Sequence, residues 1–275
     1  MKSKTGQTIL LKKFSRKREK ELSRNKERIT KLLDSLTSGY EESFPFAMEN
    51  KLMHQTFATQ LCTVLNCSQV ESLLSLGIGH QIVINELVQN EHLYTSYHIV
   101  EGSSKIIQTL KRNVKLPDKV TIFESLFEEF QTDKLYDVIE MGFVLEHVDS
   151  PEMLLQKYLQ MLRPGGLLIV AVPNARSMHR TLGLKAGLIS DIYRLSKYDL
   201  ELGHQRYYDM DRLTHLLTSH PIEIEQRIGL YLKPFTSKQL QKLELPESVH
   251  RALCSLGLEY PEIGSGMMVV ARKNA

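Results

Sequence analysis

The 275-residue chain is long enough for one large domain or two small ones and can bury a sizeable core. A formal charge of +3 is too mild to imply a nucleic-acid partner, and no stretch approaches the roughly 18 apolar residues that read as a membrane span. Cys62, Cys67 and Cys254 contain no C-x-x-C pair and cannot form a closed disulfide set, which points to a reducing, cytoplasmic setting.

The charge is unevenly distributed. Residues 1–36 carry twelve Lys or Arg against four Asp or Glu, a net +8 that leaves the rest of the chain near −5. Leu22, Ile29, Leu32, Leu33 and Leu36 recur there at helical spacing, so a basic helical extension is expected, docked or solvated. Ser38-Gly39 and Phe44-Pro45-Phe46 break that pattern, which divides the chain into an extension and connector over 1–50 and a main domain over 51–275. The main domain opens with a predicted helix over 51–66 that turns Leu52, Phe57, Leu61 and Leu65 inward.

From Val70 onward apolar strands alternate with amphipathic helices, the pattern of a parallel sheet covered on both faces. Leu73, Leu74 and Leu76 form the first strand, which breaks at Gly77-Ile78-Gly79 before a helix around 81–90. Glycine there lets the backbone turn sharply and leaves room for a ligand where a Cβ would collide. Tyr97-His98-Ile99-Val100 is the second strand and ends in Glu101, 24 residues beyond Gly77, close to the interval at which an acidic residue binds ribose hydroxyls in doubly wound nucleotide folds.

Ser103 or Ser104 caps a helix over 104–113, and strands follow at Val120–Phe123 and Tyr136–Met141. Ser150-Pro151-Glu152 starts the next helix, Arg163-Pro164-Gly165-Gly166 stops it, and Leu167–Val172 is apolar at every position, as a central strand buried on both faces should be. Ile222–Glu225 and Met267–Ala271 complete a doubly wound, mostly parallel α/β sheet of seven strands.

The glycine turn lacks the third small residue of a dinucleotide fingerprint, since Ile82 stands where close helix packing needs glycine, and this disfavours a dehydrogenase. The strand with G-x-G, the acidic strand end, Leu145-Glu146-His147-Val148, Leu162-Arg163-Pro164-Gly165-Gly166 and Val172-Pro173-Asn174 together resemble a class I S-adenosylmethionine-dependent methyltransferase of the small-molecule and sugar branch over about 70–271. Gly203-His204-Gln205-Arg206-Tyr207-Tyr208 is similar to the G-H-x-R-x-Y segment of those branches.

That resemblance implies S-adenosyl-L-methionine as cofactor, held by Gly77, Gly79, Glu101, Ser125 and Leu126 after the third strand, and Glu146. Two positions depart from the family's first motif: Ser75 stands where an acidic residue usually helps place the cofactor's amino-acid end, and Gln81 where the last glycine stands. Ubiquinone-type O-methyltransferases resemble the Leu145–Val148 region most closely and carry a metal-site glutamate three residues before Glu146. Phe143 occupies that place here, so no metal is expected.

Methyl transfer from a sulfonium depends mainly on holding donor and acceptor in attack geometry, and an acceptor that begins protonated gains from a base. His147 and His204 are the candidates. The stretch 174–206 is long enough for a lid and carries six Lys or Arg against three acids. Arg176, Arg180 and Arg206 are therefore expected to clamp a phosphate or carboxylate of a small-molecule acceptor, with Tyr207 and Tyr208 orienting it. A fold that binds without turnover, and an RNA or protein methyltransferase using the basic arm, are the alternatives.

Overall fold

The computed structural model describes residues 47–275. The basic helix and most of the connector expected before position 47 lie outside the described residues. The first described helix, α1 (Ala47–Asn66), begins earlier than expected, and Phe57, Ala58, Leu61, Val64 and Leu65 on one face are buried.

Seven strands follow: β1 (Ser72–Leu76), β2 (Ser96–Glu101), β3 (Val120–Glu124), β4 (Tyr136–Gly142), β5 (Leu162–Pro173), β6 (Ile222–Gly229) and β7 (Gly266–Lys273). They form one sheet in the order β3-β2-β1-β4-β5-β7-β6. Every pairing is parallel except those of β7, which runs antiparallel to both β5 and β6. The chain reverses its direction of growth between β1 and β4, the switch point where open α/β sheets place ligands.

Side chains of consecutive strand residues point to opposite faces, and this builds two cores. Leu73, Ile99, Val138 and Ile169 pack with α1, α2 (Ile82–Gln89) and α3 (Ser104–Asn113). Leu74, Val100, Ile139 and Val170 pack with α4 (Pro151–Met161) and a later helix over Met210–Thr218. The all-apolar run of β5 is thus explained, because it contributes to both cores and none of Leu167–Val172 meets solvent. β5 starts earlier than its apolar run, since Leu162 already pairs with Tyr136 across an irregularity in register.

Local signals set the helix starts. The Ser103 side chain accepts from the Ile106 N–H at the start of α3, and Pro151 occupies the first turn of α4. Between β5 and β6 lie α5 (Met178–Lys185), α6 (Lys197–Glu201) and α7 (Met210–Thr218), and between β6 and β7 lie α8 (Ser237–Lys242) and α9 (Glu247–Glu259). The short helices α5 and α6 lie in the stretch expected to form a lid; α5 buries none of its residues.

Candidate active site

The glycine turn lies at the carboxyl end of β1. Gly77 and Gly79 both have positive φ (85° and 52°), and a Cβ built on Gly79 would face open space. This is room that a ligand can fill. The Gly77 N–H donates to the Val100 carbonyl at 2.8 Å, which ties the turn to β2. Gln81 has φ of 63°, so the position keeps the left-handed backbone that glycine would give without strain.

Glu101 is buried, and its carboxylate accepts from Ile78 N–H at 3.0 Å and Ser103 N–H at 2.8 Å. One carboxylate thus braces the glycine turn and the start of α3 together. Each oxygen can accept more than one hydrogen bond, so ribose hydroxyls can share it. Ser125 N–H donates to the Glu101 carbonyl at 3.0 Å, which brings Ser125 and the buried Leu126 to the same edge. Five of the residues expected at the cofactor, Gly77, Gly79, Glu101, Ser125 and Leu126, therefore share one cradle.

Glu146 belongs to a second group, with His147 and His204. Each of the three offers a ligand atom, and these atoms lie within 4.8 Å of one another. The His147 and His204 rings meet edge to face with centroids 4.7 Å apart. Both Glu146 carboxylate oxygens are buried with no hydrogen-bond partner among the described residues, and burial pushes its carboxyl up to about 7. Burial and the nearby His204 push the His147 imidazole down to about 3, so it stays neutral near pH 7.

His204 Nδ1 lies 3.6 Å from Asp199 Oδ1. Burial alone would raise the Asp199 carboxyl, but the adjacent His204 ring and hydrogen bonds from Ser196 and Tyr207 outweigh it and hold the group well below the usual carboxylate range. Sequence reading missed Asp199, although Ser196-x-x-Asp199 is a capping box and α6 does start there.

The segment after α6 is stitched to the turn after β4. Gln205 N–H donates to the Glu146 carbonyl at 2.8 Å, and Gln205 Nε2 reaches the His147 carbonyl at 2.7 Å. Arg206 donates to the carbonyls of Leu145, Val148 and Asp149. Arg176 pairs with Asp209, and Arg180 donates to the Ile192 and Arg194 carbonyls with its guanidinium 4.3 Å from the Tyr207 ring centroid.

The three guanidiniums expected to clamp an acceptor anion are thus engaged by the protein's own groups in this arrangement. Tyr207 does reach the site, donating its hydroxyl to Asp199 at 2.8 Å. Tyr208 packs in the core, while its carbonyl accepts from Ala175 N–H at 2.7 Å.

Phe143, in the position of the family's metal-site glutamate, has φ of 59° and packs its ring on His54 and Phe57. Beside Glu146 and His147 stands His204, which arrives from the segment after α6. A carboxylate with two imidazoles is a donor set suited to a divalent ion as well as to proton transfer.

Residues 14–225 match a family of methyltransferase domains. A ubiquinone biosynthesis O-methyltransferase of Rickettsia felis is 24% identical over 183 residues, covering 66% of this chain and 72% of that protein. Among solved structures, the N-methyltransferase NodS of Bradyrhizobium japonicum in complex with S-adenosyl-L-homocysteine aligns over 88% of this chain and 98% of its own, with TM-score 0.57 and 13% identity. The plantazolicin methyltransferase BpumL, in complex with a monoazolic desmethylPZN analog and S-adenosylhomocysteine, aligns over 94% and 99%, with TM-score 0.55 and 17% identity. At these identities the structural likeness is one of fold.

Proposed function

Since the chain belongs to the methyltransferase-domain family and is a class I S-adenosylmethionine-dependent enzyme, we propose that it methylates a hydroxyl oxygen of a small-molecule acceptor, with His204 as the proton acceptor and His147 packed against it. The observation that carries this reading is the Glu146–His147–His204 group, its carboxylate buried and its two imidazoles partly buried, with Asp199 behind His204. The likeness to an O-methyltransferase supports the choice of oxygen.

A hydroxyl is a poor nucleophile until it loses its proton, whereas a neutral amine already presents a lone pair. A site that gathers a neutral imidazole, a second imidazole and an unpartnered carboxylate suits the hydroxyl case. In the transfer, the acceptor oxygen forms a bond to the methyl carbon as the carbon–sulfur bond breaks. The electron pair stays on sulfur, leaving neutral S-adenosylhomocysteine, and the acceptor's proton passes to the imidazole.

Gly77, Gly79, Glu101, Ser125 and Leu126 hold the cofactor. Tyr207 and the Arg180 guanidinium over its ring wall the acceptor side. Alignment of donor and acceptor supplies most of the acceleration, and the base adds to it.

The test is a screen of phenolic and sugar hydroxyl acceptors, followed by His204→Ala on whichever is turned over. Turnover should fall by about 10²- to 10⁴-fold while the affinity for S-adenosylhomocysteine stays constant. Unchanged turnover in this variant would sink the reading. Dialysis against EDTA should leave the rate unchanged; loss of activity, restored by a divalent ion, would mean that the three donors act through a metal instead.

A further inference from the structure

Ser75 leaves the end of β1 without the charge that the sequence comparison leads one to expect there, yet the sheet supplies a carboxylate beside it. The register partner of Ser75 on β4 is Glu140. Partners on adjacent strands lie about 4.8 Å apart and point to the same face, so an acid on either strand can serve the same spot. Glu140 has the longer reach of the two acidic side chains. We propose that Glu140 provides the negative charge facing the ammonium group of bound S-adenosylmethionine, a positioning role moved from β1 to its neighbour in the sheet.

Four observations place it there. Glu140 is 3% exposed, and among the described residues no cation pairs with it. A buried carboxylate without a counter-charge is costly and calls for a reason. Its side chain does not stay mid-strand but folds along β4 towards the ligand edge, where it accepts from the Gly142 N–H at 2.5 Å.

Glycine at 142 makes that possible, because a Cβ at this position would collide with Glu140 Oε1 and with the Phe57 ring. Finally, Tyr97 on β2 donates its hydroxyl to Ser75 Oγ at 2.9 Å. A serine hydroxyl that accepts from Tyr97 keeps its own proton to offer, and the strand neighbour it faces is Glu140. Three neighbouring strands thus contribute polar side chains to one buried line ending near Gly77.

The experiment compares two ligands that share the adenosine and sulfur but differ in the amino-acid end: S-adenosylhomocysteine, which carries the ammonium, and 5′-methylthioadenosine, which does not. Affinities are measured by calorimetry for the parent, for Glu140→Gln and for the exchanged variant Ser75→Asp/Glu140→Ser. Glu140→Gln should weaken S-adenosylhomocysteine by roughly ten- to hundredfold, the range for losing a charged hydrogen-bond partner, and leave 5′-methylthioadenosine unchanged. The exchanged variant should recover most of the loss.

A merely structural Glu140 would give equal losses for both ligands, or none for either, and each result overturns the proposal. Should Glu140→Gln fail to fold, Glu140→Asp and the exchanged variant carry the comparison. If both discriminate between the ligands no better than an uncharged site would, the role is not electrostatic and the proposal fails.

Discussion

His204 stands edge-on to His147 at 4.7 Å between ring centroids, one ring carried by the lid and the other by the turn after β4. Burial keeps His147 neutral, while Asp199 stands behind His204. Two groups placed like this act as a unit. The double variant His147→Ala/His204→Ala should therefore lose little more turnover than the worse single variant. Single-turnover rates on an identified acceptor check this, and fully multiplicative losses would mean that the histidines work independently.

Arg206 should be tested as a clasp. Its guanidinium holds the carbonyls of Leu145, Val148 and Asp149, and no single Lys ammonium can reproduce that fork. Arg206→Ala should lower stability by about 1–3 kcal/mol, because the part-buried carbonyls of Leu145 and Val148 lose their donor. Turnover should fall with little change in acceptor KM, and Arg206→Lys should recover only part of either loss. A pure KM effect with unchanged melting would restore the acceptor clamp.

The cradle can be probed at two points. Gly79→Val places a branched side chain in the open space beside a backbone at φ of 52°, so both fit and conformation suffer. Glu101→Gln removes the charge that accepts from Ile78 and Ser103. Calorimetric titration with S-adenosylhomocysteine should show at least a roughly tenfold loss in each, given about 1.5–3 kcal/mol for a charged hydrogen bond. Parent-like affinity in both would remove the ligand from this turn.

Gln81 holds a left-handed conformation that costs a non-glycine residue about 1 kcal/mol. Gln81→Gly should relieve it and raise stability by somewhat less than that, since glycine also gains freedom in the unfolded chain. Urea denaturation measures the difference. The side chain's contact with Asn113 is exposed and offers little in return.

His54 and His80 sit with rings 4.6 Å apart between α1 and the glycine turn. Burial lowers His54 to about 4, and burial together with His54 lowers His80 to about 3. Unfolded, each has its ordinary value of 6.5, so between roughly pH 4 and 6.5 the unfolded chain binds more protons. Their contribution to stability is complete above pH 6.5 and is lost as the pH falls through that window. Melting temperatures at pH 5 and 7.5 should fall less between the two pH values in His54→Phe than in the parent; an identical drop would show that His54 does not titrate with folding.

The succession of seven strands, the two-faced burial of β5 and the glycine turn with an acid at the end of the next strand were legible in the sequence alone. Their signals are local: an apolar run of fixed length, a residue that tolerates positive φ, an acid at a strand end. The lid's chemistry was not legible in the same way. A guanidinium reads identically in sequence whether it awaits an anion or caps a turn, and only the fold brings Arg206 onto the Leu145–Asp149 carbonyls. Asp199, seen in sequence only as one lid acid among three, becomes the partner of His204, and Glu140 becomes the neighbour of Ser75. Strand register and the packing of the segment after α6 on the turn after β4 decide those relationships, because hydrogen-bond geometry depends on separations in space that no local periodicity encodes.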